Sequence, residues 1–135
     1  MTKIAGFEQY RFSAGEDLFI SITGYGLTFS KSSVKCLGYS RYVAVFFDRK
    51  GKRIAVIPGN PEEEEEIRDF VKDREARNAG FVRWNDKRFM RDVIALGQLD
   101  LGEKGVRVFG EYDMESHAII YDLKRAEPIT GRNKE

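Results

Sequence analysis

The side chains that could perform acid–base, nucleophilic or metal chemistry are few and scattered. The sequence has a single histidine, His117, and a single cysteine, Cys36. A zinc site needs several clustered ligands, and a Ser or Cys nucleophile needs a base such as histidine to activate it. Nothing in the sequence couples His117 to Cys36 or to a serine in a strained turn. We therefore expect no catalytic site, no metal site and no cofactor.

Sites for nucleotides or divalent cations are not indicated either. Gly24 and Gly26 lack the third glycine and the long helix of a dinucleotide fingerprint, and no phosphate loop with Gly-Lys-Ser or Gly-Lys-Thr occurs. The five glutamates at 62–66 resemble a cation site on paper. Consecutive helical residues point in different directions, however, and the dipole of a helix start explains their charge. We interpret them as a solvated helix start.

Basic residues are the better candidates for ligand binding. Lysine and arginine side chains can pair with phosphates, and arginine can do so through two hydrogen bonds. A solvent-exposed helix face with salt bridges to Asp86 and Asp92 explains the cluster around the second helix equally well. The candidate nucleic-acid contacts are Lys31, Lys35, Arg83, Lys87, Arg88 and Arg91.

Composition and charge describe an ordinary globular protein. The 135 residues are 41% hydrophobic and 33% charged, with a formal net charge of +1. Outside the acidic run at 62–66, 23 basic residues stand against 17 acidic ones, so the body is moderately basic and can bind polyanions. The amino terminus contains no continuous apolar stretch, so we expect neither a signal peptide nor a membrane span. The expected protein is therefore cytoplasmic and has no membrane partner.

The first part of the chain predicts a strand-helix-hairpin unit. Ser30 suits the start of a short helix and Gly38 its end. Val34 and Leu37 should face inward, leaving Lys31 and Lys35 in solvent. The expected elements are an arm at 7–12, strands at 18–22 and 27–29, a helix at 31–37, and a hairpin of strands 42–47 and 53–57.

The same order recurs later in the chain. A strand at 81–84 precedes a helix at 86–96, with Asn85 as the expected cap and Gly97 as the expected stop, and strands at 106–112 and 118–123 form a second hairpin. Between the units, Asn60-Pro61 and the glutamates predict a surface helix at 61–77. Its apolar stripe consists of Ile67, Phe70 and Val71.

These patterns predict an α+β fold made of two strand-helix-hairpin units joined by a surface helix. The expected divisions are a first unit with its arm at 1–59, an acidic connector helix at 60–78, a diverged second unit at 79–125 and a flexible tail at 126–135. The hairpins should pack together because each alone exposes an apolar face. Their expected contacts are Val45, Phe47, Ile54, Val56, Val108, Ile119 and Tyr121.

Residues 20–58 resemble a known family. The pattern comprises Ile20-Ser21-Ile22, a glycine-centred reversal, Leu27-Thr28-Phe29-Ser30, a short helix ending at Leu37-Gly38, and two apolar strands at 43–48 and 53–58. It is similar to the AbrB-like swapped-hairpin domain (SpoVT/AbrB, MazE-type), whose members include transition-state regulators and antidotes of toxin–antitoxin pairs. The resemblance implies that the two units pair within one chain as a pseudo-dimeric small β-barrel that binds DNA.

The leading expectation is a DNA-binding, transcriptional-regulator-like protein without catalytic activity. Its partner would be double-stranded DNA. The alternative is a protein-interaction module, antidote-like or a mobile-element-encoded inhibitor, that keeps the fold and holds a protein partner instead of DNA. Either protein could be a monomer or a homodimer.

Overall fold

The computed structural model describes residues 5–6, 18–63, 66–72 and 80–129. The predicted arm at 7–12 lies outside these residues. The elements, in chain order, are β1 (Leu18–Ile22), β2 (Leu27–Phe29), α1 (Lys31–Cys36), β3 (Tyr42–Asp48), β4 (Arg53–Pro58), β5 (Arg68–Asp69), β6 (Val82–Trp84), α2 (Lys87–Gly97), β7 (Val106–Asp113) and β8 (Ala118–Pro128).

The eight strands form one antiparallel sheet that curls into a half-barrel, which confirms the α+β class. The strand order is β5-β3-β4-β8-β7-β1-β2-β6. Residues alternate between the two faces of each strand, so that Ile20 and Ile22 of β1 lie in the core while Phe19 and Ser21 are half-buried on the other face. A single hydrophobic core includes residues of the sheet and of both helices.

The two predicted hairpins meet through a ladder between β4 and β8. Ile54 lies opposite Tyr121 and Val56 opposite Ile119, and all four side chains are buried. The seven residues expected at this junction all belong to the core or pack against it, and the hairpins are joined edge to edge within one sheet.

The two edge strands of the sheet, β5 and β6, approach each other across the opening of the half-barrel. Trp84 donates a hydrogen bond from Nε1 to the carbonyl oxygen of Asp69 at 3.3 Å. The guanidinium of Arg68 lies 4.6 Å from the centre of the Trp84 ring, and the Phe29 and Phe70 rings meet edge to face at 5.0 Å. Side chains therefore span the gap between the edges.

The prediction of a connector helix at 61–77 is wrong for those of its residues that the structure describes. Residues 61–63 form a turn, and Arg68–Asp69 is the edge strand β5. The backbone N–H groups of Phe70 and Val71 donate to the carbonyls of Arg41 and Ser40. Both apolar side chains are buried, so pairing beside β3 overrides the local preference for a helix start.

The carboxyl-terminal boundary also differs from the expectation. β8 continues to Pro128, so a flexible tail does not begin at residue 126. The added residues pair with β7, where Val108 lies opposite Ala126 and Val106 opposite Pro128. A register shift between Val108 and Gly110 lets this strand bend and resume pairing. The polar composition of this stretch is consistent with an exposed strand end.

Candidate nucleic-acid interface

The lysines of α1 are exposed because the helix turns its apolar side to the sheet. Ser30 begins the helix and accepts a hydrogen bond from the N–H of Ser33 at 3.2 Å, as the sequence predicted. Val34 and Leu37 are buried, whereas Lys31 and Lys35 are exposed. This confirms the predicted orientation of α1.

The second helix begins one residue later than the sequence suggested. Asp86, not Asn85, is the capping residue, and its Oδ1 accepts the N–H of Phe89 at 3.0 Å. The helix continues through Gly97 and ends at Gln98, which adopts the left-handed conformation. Gly97 is therefore not the stop. A Cβ on Gly97 would come within 2.8 Å of the Leu123 Cβ, so glycine permits close packing against β8.

One side of α2 is buried and the other is basic. Met90, Val93 and Leu96 lie in the core, and the three bases Lys87, Arg88 and Arg91 are exposed. Within the described ranges, no carboxylate lies close enough to any of these three to form a salt bridge. Their charges are open to an external anion.

Asp86 bonds to other groups, so its carboxylate does not neutralise Lys87, Arg88 or Arg91. Its Oδ2 accepts a hydrogen bond from Arg68 at 2.8 Å, which ties the start of α2 to β5. The hydrogen bond from the N–H of Phe89, together with Arg68, holds the pKa of the Asp86 carboxyl below its usual value. The proposed salt-bridge alternative for the basic face, through Asp86 and Asp92, is not what the described residues show.

The structure places the tip of the first hairpin, including Arg49, beside α2 at Phe89. The Arg49 guanidinium lies 5.6 Å from the centre of the Phe47 ring, and this ring lies 6.2 Å from that of Phe89 in α2. Further along the helix, Lys52 donates to Oε1 of Gln98 at 2.8 Å. The tip of the first hairpin thus lies along α2. The sequence signal that could have drawn attention to this hairpin tip is the run at 49–53, which has four basic residues in five positions.

Two of the other three candidate bases lie near β6. Arg83 is exposed on β6 opposite Thr28 of β2. The Cγ and Cδ atoms of Lys31 lie 3.2 Å from the point that a Cβ on Gly80 would occupy, just before that strand. The six predicted bases therefore do not form one cluster. Lys87, Arg88 and Arg91 share α2, Arg83 and Lys31 lie near β6, and Lys35 is a turn further along α1.

His117 and Cys36 have local structural surroundings. His117 lies in an exposed turn, where its Nδ1 is 3.2 Å from the Tyr112 hydroxyl. Cys36 is half-buried, and burial raises the pKa of its thiol, which disfavours the reactive thiolate. Across the described ranges, no group of three metal-ligating side chains occurs. No helix among the described residues is long and apolar enough to cross a membrane.

Comparison of the chain with protein-family models, with curated proteins and with solved structures gave no match.

Proposed function

We propose that this protein binds double-stranded DNA through the exposed face of α2 and acts as a regulator-like protein without catalysis. The observation that carries the proposal is the set of three exposed bases on α2, Lys87, Arg88 and Arg91, which have no salt-bridge partner among the described residues. Phosphates are the natural partners of such a face, and binding releases the counterions condensed on DNA.

The shape of this face suits a phosphate backbone. The 11 residues of α2 make a rod about 16 Å long, which is held rigidly by its buried side. Lys87, Arg88 and Arg91 project from the exposed side of this rod. These side chains contact phosphates and fix the position of the protein on the duplex, whereas reading of the base sequence requires contacts in the grooves.

The AbrB-like, pseudo-dimeric arrangement is part of the same proposal. Its support is the repeated order of strand, helix and hairpin on either side of β5, and the ladder through which β4 of one hairpin pairs with β8 of the other. In this view the two halves of the chain act as the two subunits of a swapped-hairpin dimer do.

The test is duplex binding as a function of salt. Replacing Lys87, Arg88 and Arg91 together by Ala should flatten the plot of log affinity against log salt by roughly three units, because each lost phosphate contact removes about one released counterion. The three side chains are exposed, so folding should be retained. Fluorescence anisotropy with a labelled random duplex at several salt concentrations measures both quantities, and circular dichroism checks the fold.

A matched control removes the same number of positive charges from side chains that already form salt bridges. Arg53, Lys124 and Arg125 each form a salt bridge, to Asp48, Asp122 and Glu111 respectively. Replacing these three by Ala should change the salt slope much less. Equal losses in the two triple variants would show that net charge and not the α2 face drives binding. No duplex binding by the wild type at low salt would overturn the proposal.

The protein-interaction alternative has one observation in its favour. Phe46 on β3 is 52% exposed and lines a shallow cavity of about 110 Å³ together with Ala55 and Ile120. An apolar pocket of this kind can hold a side chain of a partner. A complex formed there depends weakly on salt, so the salt series described above separates the two functions.

A further inference from the structure

Exposed aromatic rings flank β6. Four large apolar side chains are exposed in the described part of the chain: Tyr25 at 83%, Phe46 at 52%, Phe81 at 45% and Met114 at 53%. Phe81 directly precedes β6. Tyr25 lies at the tip of the turn between β1 and β2, and this turn sits against the other end of β6.

The position of Tyr25 is set by a tight contact beneath it. A Cβ on Gly26 would lie 2.7 Å from Oδ1 of Asn85, 2.9 Å from Nε of Arg83 and 3.0 Å from the carbonyl oxygen of Trp84. The turn therefore rests directly on the junction between β6 and α2. The N–H of Tyr25 donates to Oγ1 of Thr23 at 3.0 Å, which fixes the backbone that presents the ring.

Arg83 lies between Phe81 and the end of β6 on which the Tyr25 turn rests. Alternation along the strand places Phe81 and Arg83 on one face, while Val82 and Trp84 are buried on the other. The stretch from Phe81 to Asn85, where the Tyr25 turn rests, covers about 13 Å at the usual rise of a strand. This distance is long enough for two separate bases of one strand, one at Phe81 and one at the turn that carries Tyr25.

Cationic groups accompany the rings. Lys31 lies against Gly80 beside Phe81, and neither Lys31 nor Arg83 has a salt-bridge partner among the described residues. Arg83 also lines a groove of about 380 Å³ between β5 and β6, together with Arg68, Asp69 and Lys72, and Arg68 is already paired with Asp86. The cations available to phosphates beside the rings are therefore Lys31 and Arg83.

We infer that the outer face of β6 binds a single strand of nucleic acid, with unpaired bases stacked on Tyr25 and Phe81 and phosphates held by Lys31 and Arg83. Interleaved aromatic and basic side chains are the means by which proteins hold single strands, because every unpaired base offers a flat face for stacking. In a perfect duplex those faces are covered by neighbouring bases. The inference goes beyond duplex binding at α2 and rests on the proposed function for the class of ligand.

The experiment uses labelled oligo-dT, which has little structure of its own, and the full chain. Tyr25→Ala and Phe81→Ala should each weaken binding by about five- to 150-fold, the loss typical of one stacked base. Tyr25→Phe keeps the ring and should bind nearly as the wild type does. Phe46→Ala removes an exposed ring on a different strand and should leave oligo-dT affinity unchanged. Tyr25 is 83% exposed, so the Tyr25→Ala variant keeps its fold.

Duplex binding distinguishes this inference from the proposed function. Tyr25→Ala should bind a perfect duplex with wild-type affinity, whereas the triple Ala variant at Lys87, Arg88 and Arg91 should not. Absence of oligo-dT binding at low salt, or equal oligo-dT affinity of the wild type and the Tyr25→Ala variant, overturns the inference and leaves duplex binding at α2 untouched. If the wild type does not bind duplex but binds oligo-dT, and the Tyr25→Ala variant binds oligo-dT more weakly, only the proposed function is overturned.

Discussion

The Tyr121 hydroxyl donates a hydrogen bond to Oγ of Ser33 at 2.8 Å, across 88 positions of sequence. Both residues are buried. The Ser33 hydroxyl also accepts from Oγ of Ser30 at 2.9 Å and donates to the carbonyl oxygen of Phe19 at 3.3 Å. Burial raises the pKa of the Tyr121 phenol, which therefore stays a neutral donor. This network connects α1 of the first half to the central strand β8.

Removing the Ser33 hydroxyl should destabilise the protein more than removing the Tyr121 hydroxyl. Ser33→Ala leaves the Tyr121 hydroxyl buried without an acceptor and should cost about 2–3 kcal/mol, whereas Tyr121→Phe removes one donor from a serine that keeps two other partners and should cost about 1 kcal/mol. Urea unfolding measures both. The double variant should lose less than the sum, since the two changes remove the same bond. A larger cost for Tyr121→Phe than for Ser33→Ala would contradict this assignment.

The cap of α2 predicts a pH-dependent stability. Asp86→Ala should cost about 1 kcal/mol at neutral pH, the usual value of a capping carboxylate. Its pKa is lowered in the folded protein, so its contribution is complete above the unfolded-state pKa of about 4 and is lost as the pH falls through the lower folded-state pKa. The difference in unfolding free energy between the wild type and Asp86→Ala should therefore shrink in acid.

Two neighbouring variants separate capping from charge. Asp86→Asn keeps a capping side chain and loses only the attraction to Arg68, which is modest because both side chains are more than a third exposed. Asn85→Ala should have almost no effect, because the structure assigns the cap to Asp86. A loss in Asn85→Ala as large as that in Asp86→Ala would return the cap to the residue that the sequence favoured.

Gly97 should resist substitution although it lies inside a helix. Alanine is favoured over glycine in helices by about 1 kcal/mol, yet a Cβ at this position would lie 2.8 Å from the Cβ of Leu123, which is buried in β8. Gly97→Ala should therefore destabilise the protein by about 1–3 kcal/mol through overpacking, as measured by thermal or urea unfolding. Ala95→Gly at an exposed position of the same helix supplies the propensity term alone. A stabilised Gly97→Ala variant would show that β8 yields easily.

Most of the regular structure could be predicted from the sequence because it depends on local signals. The strand ends of β1 and β2 coincide with the predicted ranges, since apolar alternation and glycine turns are read over a few residues. The short strand β5 could not be predicted in this way. Pro61 and its glutamates favour a helix locally, and only pairing beside β3 reveals a strand at Arg68–Asp69.

The same limit applies to the candidate interface. The exposure of Lys87, Arg88 and Arg91 follows from the helical spacing of the buried Met90 and Val93. The placement of Arg49 beside α2 depends on the packing of Phe47 against Phe89. That contact joins residues 42 positions apart, and no local pattern reports it.

The position of β8 in the sheet controls when the protein can fold during synthesis. This last strand lies between β4 and β7, near the middle of the sheet, and it supplies the buried Ile119, Tyr121 and Leu123. A growing chain on the ribosome holds β1 to β4 as two separate pieces, because β7 and β8 form the link between them. Long-range pairing of this kind slows folding and exposes strand edges in the meantime. A chain that stops before β8 lacks the strand that joins the β3–β4 hairpin to the rest of the sheet, and we expect it to be open to proteolysis.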